Sequence, residues 1–386
     1  MNIVYCTDIV YELSGIDVIT IIKANALAEI PGNRVWIIVA GNPHSLMHRL
    51  KNVSVIELPI DYYTQDEKGM WAAIWDINQK RKKHKQLLTA FLENIQPDIV
   101  ISTGVLVKYF LPTIKIASNP VFIRELHNDR HYVLNSSATL PKKLIALFSE
   151  WYDYDWKIHH YDKIVVLTEK EKSGWWKHWD KVKVIPNPIA NERGLTSDGN
   201  SKVVITGGRL SKMKNFSELV NIWTKVTARH PDWLLQIWGV GPEMDALENQ
   251  IQTLGLSNQV FLMGYTNEMT KQMSLASLMV LTSMSEGFSL VTLEAMSVGI
   301  PTVVYNCPGG IRYLVKDKVT GYLVPLHNNQ AFVDRVCELI EDENKRKQMG
   351  QAALKESEQY KLDGIIQRWM ALFQELLEKK RGKNME

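Results

Sequence analysis

The stretch SEGFSLVTLEAMSVGIP, Ser285 to Pro301, is flanked by two short apolar runs, LMVLT (Leu278 to Thr282) and PTVVY (Pro301 to Tyr305). Apolar runs bounded by turn residues read as strands buried on both faces of a parallel sheet. Between them Gly287 supplies a tight turn, and a helix-like run begins near Ser289. The unit is therefore strand, loop, helix, strand. That order aims the amides of Phe288, Ser289 and Leu290 at whatever sits above the sheet, and a helix N-terminus there favours an anion, typically phosphate. Glu286, on the loop, is a poor core residue. Glu294, about a turn and a half into the helix, is placed to face the same crevice. On the residues alone the pair has two readings: functional carboxylates, or a first-turn dipole partner and a solvated helix glutamate.

Outward from this stretch the same alternation covers the chain. In the first half NIVYCT, VWIIVAG, VSVIELP, DIVISTG, PVFIREL and KIVVLT read as strands. DVITIIKANALAEI and the segment 69–95 read as helices between them. KVKVIPNPIANERGLTSDGNSK breaks the pattern with two prolines, glycines and a polar run, and reads as a linker. The alternation restarts at KVVITGG and continues through WLLQIWG and QVFLMGY to the opening stretch. The fold class is α/β, two doubly wound domains in tandem, whose strand ends face each other across a ligand-binding cleft. The boundaries fall at 1–186 and 187–360, with a terminal helix at 361–386.

Composition excludes several classes. Lys and Arg number 45 against 42 Asp and Glu, a net charge of +3, too balanced for a nucleic-acid partner. Cys6, Cys307 and Cys337 fit neither a zinc spacing nor a disulfide framework, and point to a reducing, cytoplasmic setting. MNIVYCTDIV begins as a strand without a signal-peptide pattern. No run reaches the roughly 18 apolar residues that span a bilayer. The basic run QKRKKHK, the Lys- and aromatic-rich segment 140–161 and GWWKHW are candidates for contact with an anionic membrane surface, or ordinary solvated and core faces.

Further candidates for chemistry lie at strand ends. KVVITGG runs into GGRLSKMKN, so Arg209 and Lys214 follow a strand, and Gly207 and Gly208 let the backbone turn sharply. Two such cations suit a diphosphate; alternatively this is a basic loop with Asn215 as a helix N-cap. Gly239 and Gly241 in WGVGPE make a G-x-G that serves phosphate binding or a tight turn. Gly264 and Tyr265 offer backbone and a ring to a nucleobase, or form a plain turn. Ser14 and Gly15, ahead of the first helix, are a second place where amides could meet phosphate. His127, opening HNDR after PVFIREL, is placed to polarise a sugar hydroxyl or assist proton transfer. No G-x-S-x-G elbow, Walker A lysine, H-E-x-x-H or complete G-x-G-x-x-G is present.

Taken in order, RLSKMK, GVGPE, FLMGY, SEGFSLVTLEAMSVGIPTVV, PGG and VTGYLVP resemble family 4 of the retaining glycosyltransferases, which have the GT-B fold. The resemblance covers Lys202 to about Gln359. It is weaker before that, where IIKANALAE, HND and VIPNPI still correspond. It implies transfer of a hexose or N-acetylhexosamine from a UDP-sugar to a saccharide or lipid-linked oligosaccharide acceptor in bacterial surface-polysaccharide synthesis. Arg209 and Lys214 would hold the diphosphate, Glu294 the ribose hydroxyls, and Glu286 with the Phe288–Leu290 backbone the transferred sugar. Tyr265 would lie by the base, Gly15 and Gly239 near the donor, and His127 would reach the donor sugar or acceptor. No cofactor and no metal are expected, and the last helix would cross back to the first domain. Two other readings are a sugar-nucleotide epimerase of the same fold and a non-catalytic partner of another transferase. The pattern departs at Ser14 where a glycine pair is usual, at Val240 where Asp is frequent, and at Ile311, Arg312 and Tyr313, where an acidic residue often follows the glycines.

Overall fold

A computed structural model describes residues 1–8, 15–40, 49–62, 70–104, 107–127, 157–189 and 194–383. The chain divides into two compact units, Met1–Pro188 with Leu362–Glu386, and Ile189–Lys361. The helices are α1 (Gly15–Ala28), α2 (Met70–Ile95), α3 (Glu169–Ser173), α4 (Phe216–Arg229), α5 (Met244–Thr253) and α6 (Met269–Ser274). They continue with α7 (Leu290–Ser297), α8 (Ile311–Leu314), α9 (Asn329–Glu341), α10 (Glu343–Ser357) and α11 (Leu362–Lys383).

The first unit is built on a parallel sheet of β1 (Asn2–Asp8), β2 (Arg34–Ala40), β3 (Val53–Leu58), β4 (Ile99–Ser102), β5 (Val121–Glu125), β6 (Lys163–Val166) and β7 (Val182–Val184). Its strand order is β3-β2-β1-β4-β5-β6-β7. Because side chains alternate across a strand, Ile3 and Tyr5 enter one core layer while Val4 and Cys6 enter the other. Strands buried on both faces need apolar residues at every position, which is why these runs are nearly continuous. The first layer is closed by α11, whose Ile365, Ile366, Trp369, Leu372, Phe373 and Leu376 recur at helical spacing and are buried. One expectation is corrected here. The run KVKV, read as the start of a linker, is β7, paired in parallel with β6; its Val182 is buried in the second core layer, and that burial outweighs the following prolines. Ile189, whose amide donates to Tyr360 O at 2.8 Å, opens the second unit.

The second unit carries β8 (Val203–Gly207), β9 (Leu234–Trp238), β10 (Val260–Gly264), β11 (Leu278–Leu281), β12 (Thr302–Tyr305) and β13 (Gly321–Val324). The order is β10-β9-β8-β11-β12-β13, all parallel. It grows outward in both directions from the β8/β11 pair. Helices on either side of such a reversal are carried to opposite faces, which opens a crevice at the strands' C-terminal ends. The loops after β8 and β11 border it.

Among the described residues no helix is long and apolar enough to cross a membrane. The basic run lies on α2, where Lys82 and Lys83 are exposed but His84 is buried, bonded to Tyr62. Burial pushes the His84 imidazole down to about 4, so it is neutral at neutral pH. In GWWKHW, Trp175 is core and Trp179 is exposed under Lys172. Most of segment 140–161 lies outside the described residues.

Trp369 is fully buried in the first unit's core. Trp369→Ala is expected to cost about 3–5 kcal/mol of that unit's stability and to leave the second unit unchanged. Native-state hydrogen exchange resolves the two; uniform loss in both sheets, or none in the first, contradicts the assignment of α11.

Candidate active site

Two loops at the strand-order reversal are laced to each other. Met284 donates its amide to Met213 O at 2.8 Å. Thr282 Oγ1 donates to Asn215 O at 3.0 Å. Asn215 adopts a left-handed backbone (φ 56°) at the start of α4, and its amide group bonds Glu218 rather than capping the helix. Asparagine tolerates that conformation better than most residues. The result fixes Lys214, one residue earlier, against the other loop.

Lys214 Nζ lies 2.7 Å from Glu286 Oε1. Glu286 is buried, and Lys214 is partly covered, its stem over Gly208. A carboxylate so buried stays charged only with a partner, and removing that partner costs about 3–5 kcal/mol. Lys214 is therefore also a structural partner of the Glu286 loop. Arg209 is exposed on the same loop.

The Pro308-Gly309-Gly310 turn supports the Glu286 loop from below. Glu286 donates its amide to Pro308 O at 3.1 Å and accepts from Gly310 N at 2.9 Å. Gly309 sits at φ 106°, and a Cβ there would lie 1.8 Å from Glu286 O. A Cβ on Gly310 would meet Gly287 O at 2.3 Å. Only glycine lets the two backbones approach so closely. Both glycines thus act through the position of Glu286, a role the sequence motif alone did not reveal.

Ser289 precedes α7 in a left-handed conformation (φ 33°), and no side chain caps that helix. Among the described residues no backbone acceptor meets the amides of Phe288, Ser289, Leu290 or Val291. The Phe288 ring is buried edge-on to Tyr360, so its backbone alone is available. Unsatisfied amides and the helix dipole favour negative charge at this point. Glu294 follows within α7, and its carboxylate has no hydrogen-bond or ion partner among the described residues. Its surface is only partly covered, yet its surroundings are apolar enough that burial pushes the carboxyl up to about 7.

Gly239 has a structural explanation. A Cβ on it would lie 1.9 Å from Gly208 O, and its amide donates to Gly264 O at 2.7 Å. It laces together the loops after β8, β9 and β10. Tyr265 follows Gly264 and is 56% exposed. Val240, where the resemblance leads one to expect Asp, has its side chain outward and uses its carbonyl to accept from Leu210 N.

Gly15 and His127 belong to the first unit. Gly15 is the exposed first residue of α1, and Ser14 lies outside the described residues, as do the residues after His127 in HNDR. His127 is buried just past β5, and its Nε2 is 3.3 Å from Glu125 Oε1. Glu125 is in turn bonded to the buried Lys23 on α1. Sequence reading missed both partners, since a lysine within IIKANALAE and a glutamate closing a strand carry no local sign that the fold will join them. Among the described residues no cluster of three His, Cys, Asp or Glu is placed to hold a metal ion.

Two Rossmann-like domains of parallel sheet, with loops gathered at the strand ends, define a GT-B type of architecture. The fold is similar to that of HepE from Anabaena, solved in complex with UDP (TM-score 0.74, 19% identity, 97% of this chain and 100% of that one). It is also similar to sucrose-phosphate synthase from Thermosynechococcus elongatus (TM-score 0.77, 16% identity, 98% and 99%). Residues 189–356, nearly the whole of the second unit, match the family model "Glycosyl transferases group 1". An uncharacterised glycosyltransferase of Haemophilus influenzae is 32% identical over 215 residues, 55% of this chain and 61% of the relative. The poly(glycerol-phosphate) alpha-glucosyltransferase of Bacillus subtilis is 32% identical over 184 residues, 48% and 27%. The chain spans less than two thirds of the length of these relatives.

Glu294 gives this site a pH signature. Its folded value lies above the ordinary carboxylate value, so the stability it contributes is full below about pH 4.5 and is lost as pH rises through about 7. Glu294→Gln removes the titration, and the variant should gain stability relative to wild type between about pH 5 and about pH 8. Urea unfolding of the second unit at both pH values measures it; a difference that stays constant with pH refutes the assignment.

Proposed function

We propose that the chain is a retaining, family 4 glycosyltransferase. It moves a hexose or N-acetylhexosamine from a UDP-sugar to a saccharide acceptor, lipid-linked and made at the cytoplasmic face of a membrane for surface polysaccharide. The observation that carries this reading is the Lys214–Glu286 pair at the strand-order reversal, beside the uncapped start of α7. A cation, a hydroxyl-accepting carboxylate and free amides together match a sugar diphosphate.

In this reading the donor diphosphate meets Arg209, Lys214 and the amides of Phe288, Ser289 and Leu290. Glu286 accepts hydrogen bonds from the transferred sugar and Glu294 from the ribose, while Tyr265 offers its ring to the base. Gly15 and Gly239 allow backbone to approach the donor, and His127 bonds a sugar hydroxyl. The acceptor hydroxyl attacks the anomeric carbon on the face the diphosphate leaves. The bond from carbon to phosphate oxygen breaks, and that oxygen takes the hydroxyl's proton, so no side chain needs to act as base. Positive charge and the helix N-terminus stabilise the leaving group in the role a divalent ion plays elsewhere, and the reading includes no metal.

The relatives support the substrate class. Besides the two above, an amylovoran biosynthesis glycosyltransferase of Erwinia amylovora is 28% identical over 217 residues. The exposed Lys82 and Lys83 of α2 suit an acceptor presented at an anionic membrane surface.

UDP release measured across a panel of UDP- and GDP-sugars tests the proposal. Arg209→Ala should lower turnover about 10²–10³-fold while changing stability by about 0.5 kcal/mol or less, because Arg209 is exposed. Lys214→Ala should lose activity and stability together. No turnover with any donor, and no effect of Glu286→Ala, would sink the idea.

A further inference from the structure

The first unit holds a buried ion pair that the reaction as written does not use. Lys23, on α1, bonds Glu125 at the end of β5, and both side chains are about 1% exposed. Trp369 of α11 and Tyr5 of β1 close over the lysine, their ring centroids 4.9 and 5.9 Å from Nζ. Two charges this deep are costly to keep, and apolar residues of similar size would fill the space at least as well. His127 stands beside the pair. Its Nε2 is 3.3 Å from Glu125 Oε1, and neither Nε2 nor Glu125 Oε2 has a hydrogen-bond partner among the described residues.

Two orphaned buried atoms on adjacent side chains constrain the proton. If Nε2 carried its lone pair, it would face a carboxylate oxygen, which is repulsive. If it carries the proton, a small rotation of the ring completes an N–H···O bond to a charged acceptor. We propose that Glu125, held in place by Lys23, is a positioning residue for His127 that keeps the proton on Nε2 and leaves Nδ1 as the ring nitrogen open to a hydroxyl. This rests on the reading of His127 as the first unit's contribution to sugar transfer. Lys23 also offsets the charge of Glu125. Burial raises the Glu125 carboxyl, but the neighbouring Lys23 charge outweighs it and the carboxyl is held down to about 2. Among the described residues the charged or titratable groups around Glu125 are Lys23, Tyr5 and His127.

The test uses the full chain carrying ¹⁵N-labelled histidine, with Lys23→Met combined with Glu125→Gln. The double variant removes both charges and leaves none buried without a partner; Glu125→Gln alone risks unfolding around an unpaired Lys23. In wild type the ring nitrogens of His127 should report the Nε2–H tautomer. In the double variant that preference should fall to a mixture, since no carboxylate then faces Nε2. Donor KM should change by less than about threefold while kcat falls about tenfold or more. The conservative Glu125→Asp should restore part of the tautomer preference. A wild-type Nδ1–H tautomer, or an unchanged tautomer in a folded double variant, overturns the proposal. If His127→Ala keeps full turnover, the role of His127 in transfer is overturned, while the spectrum still decides the positioning by itself.

Discussion

The backbone hydrogen bond from Met284 to Met213 joins loops that no sheet pairing holds. β8 and β11 are neighbours, but the helices that follow them leave the sheet in divergent directions, because the strand order reverses between them. Nothing in the ladder fixes what lies above the strand ends. The unit must therefore build the crevice from the loops' own bonds: Met284 to Met213, Thr282 to Asn215, and Lys214 to Glu286. Beneath them Gly309 and Gly310 set the height of the Glu286 loop by letting backbone touch backbone. A site held at this many points has little freedom to spread when charge arrives. Preorganisation of that kind is what makes fixed charges effective against a developing anion.

Much of this is legible in the residues, and the rest is hidden for physical reasons. Continuous apolar runs announce buried parallel strands, and from these the α/β class and five of the six strands of the second sheet are legible, β13 being the one left out. β7 escaped because three residues followed by prolines look like a linker; it is a strand because Val182 fills a core that local sequence does not display. Glycines were visible as turn residues, but their partners were not. Gly239 reads equally as a phosphate turn or a packing glycine, and the geometry favours packing, with Gly208 1.9 Å from where a Cβ would stand. Asn215 marked a helix start correctly, yet its side chain bonds Glu218 and its left-handed backbone matters more than a cap.

Ionic partners were the least legible feature of all. Lys23 and Glu125 are 102 positions apart, and Lys214 and Glu286 are 72 apart. Charge type says nothing about which distant carboxylate a lysine will meet. The two pairs also differ in kind. Lys23–Glu125 is enclosed by Trp369 and Tyr5, so exchange of its partners needs the core to open. Lys214 keeps 22% of its side chain exposed, and a soluble anion can reach it.

In the proposed function that difference bears on how a donor diphosphate meets the second unit. With no ligand, Lys214 neutralises Glu286, and the pair costs less than either charge alone. A diphosphate brings more negative charge than one lysine offsets, so Lys214 drawn toward phosphate leaves Glu286 needing hydrogen-bond donors. A sugar supplies them: its hydroxyls can bond the carboxylate that the phosphate has stripped of its cation. In the proposed function the same pair favours a ligand that carries phosphate and hydroxyls together.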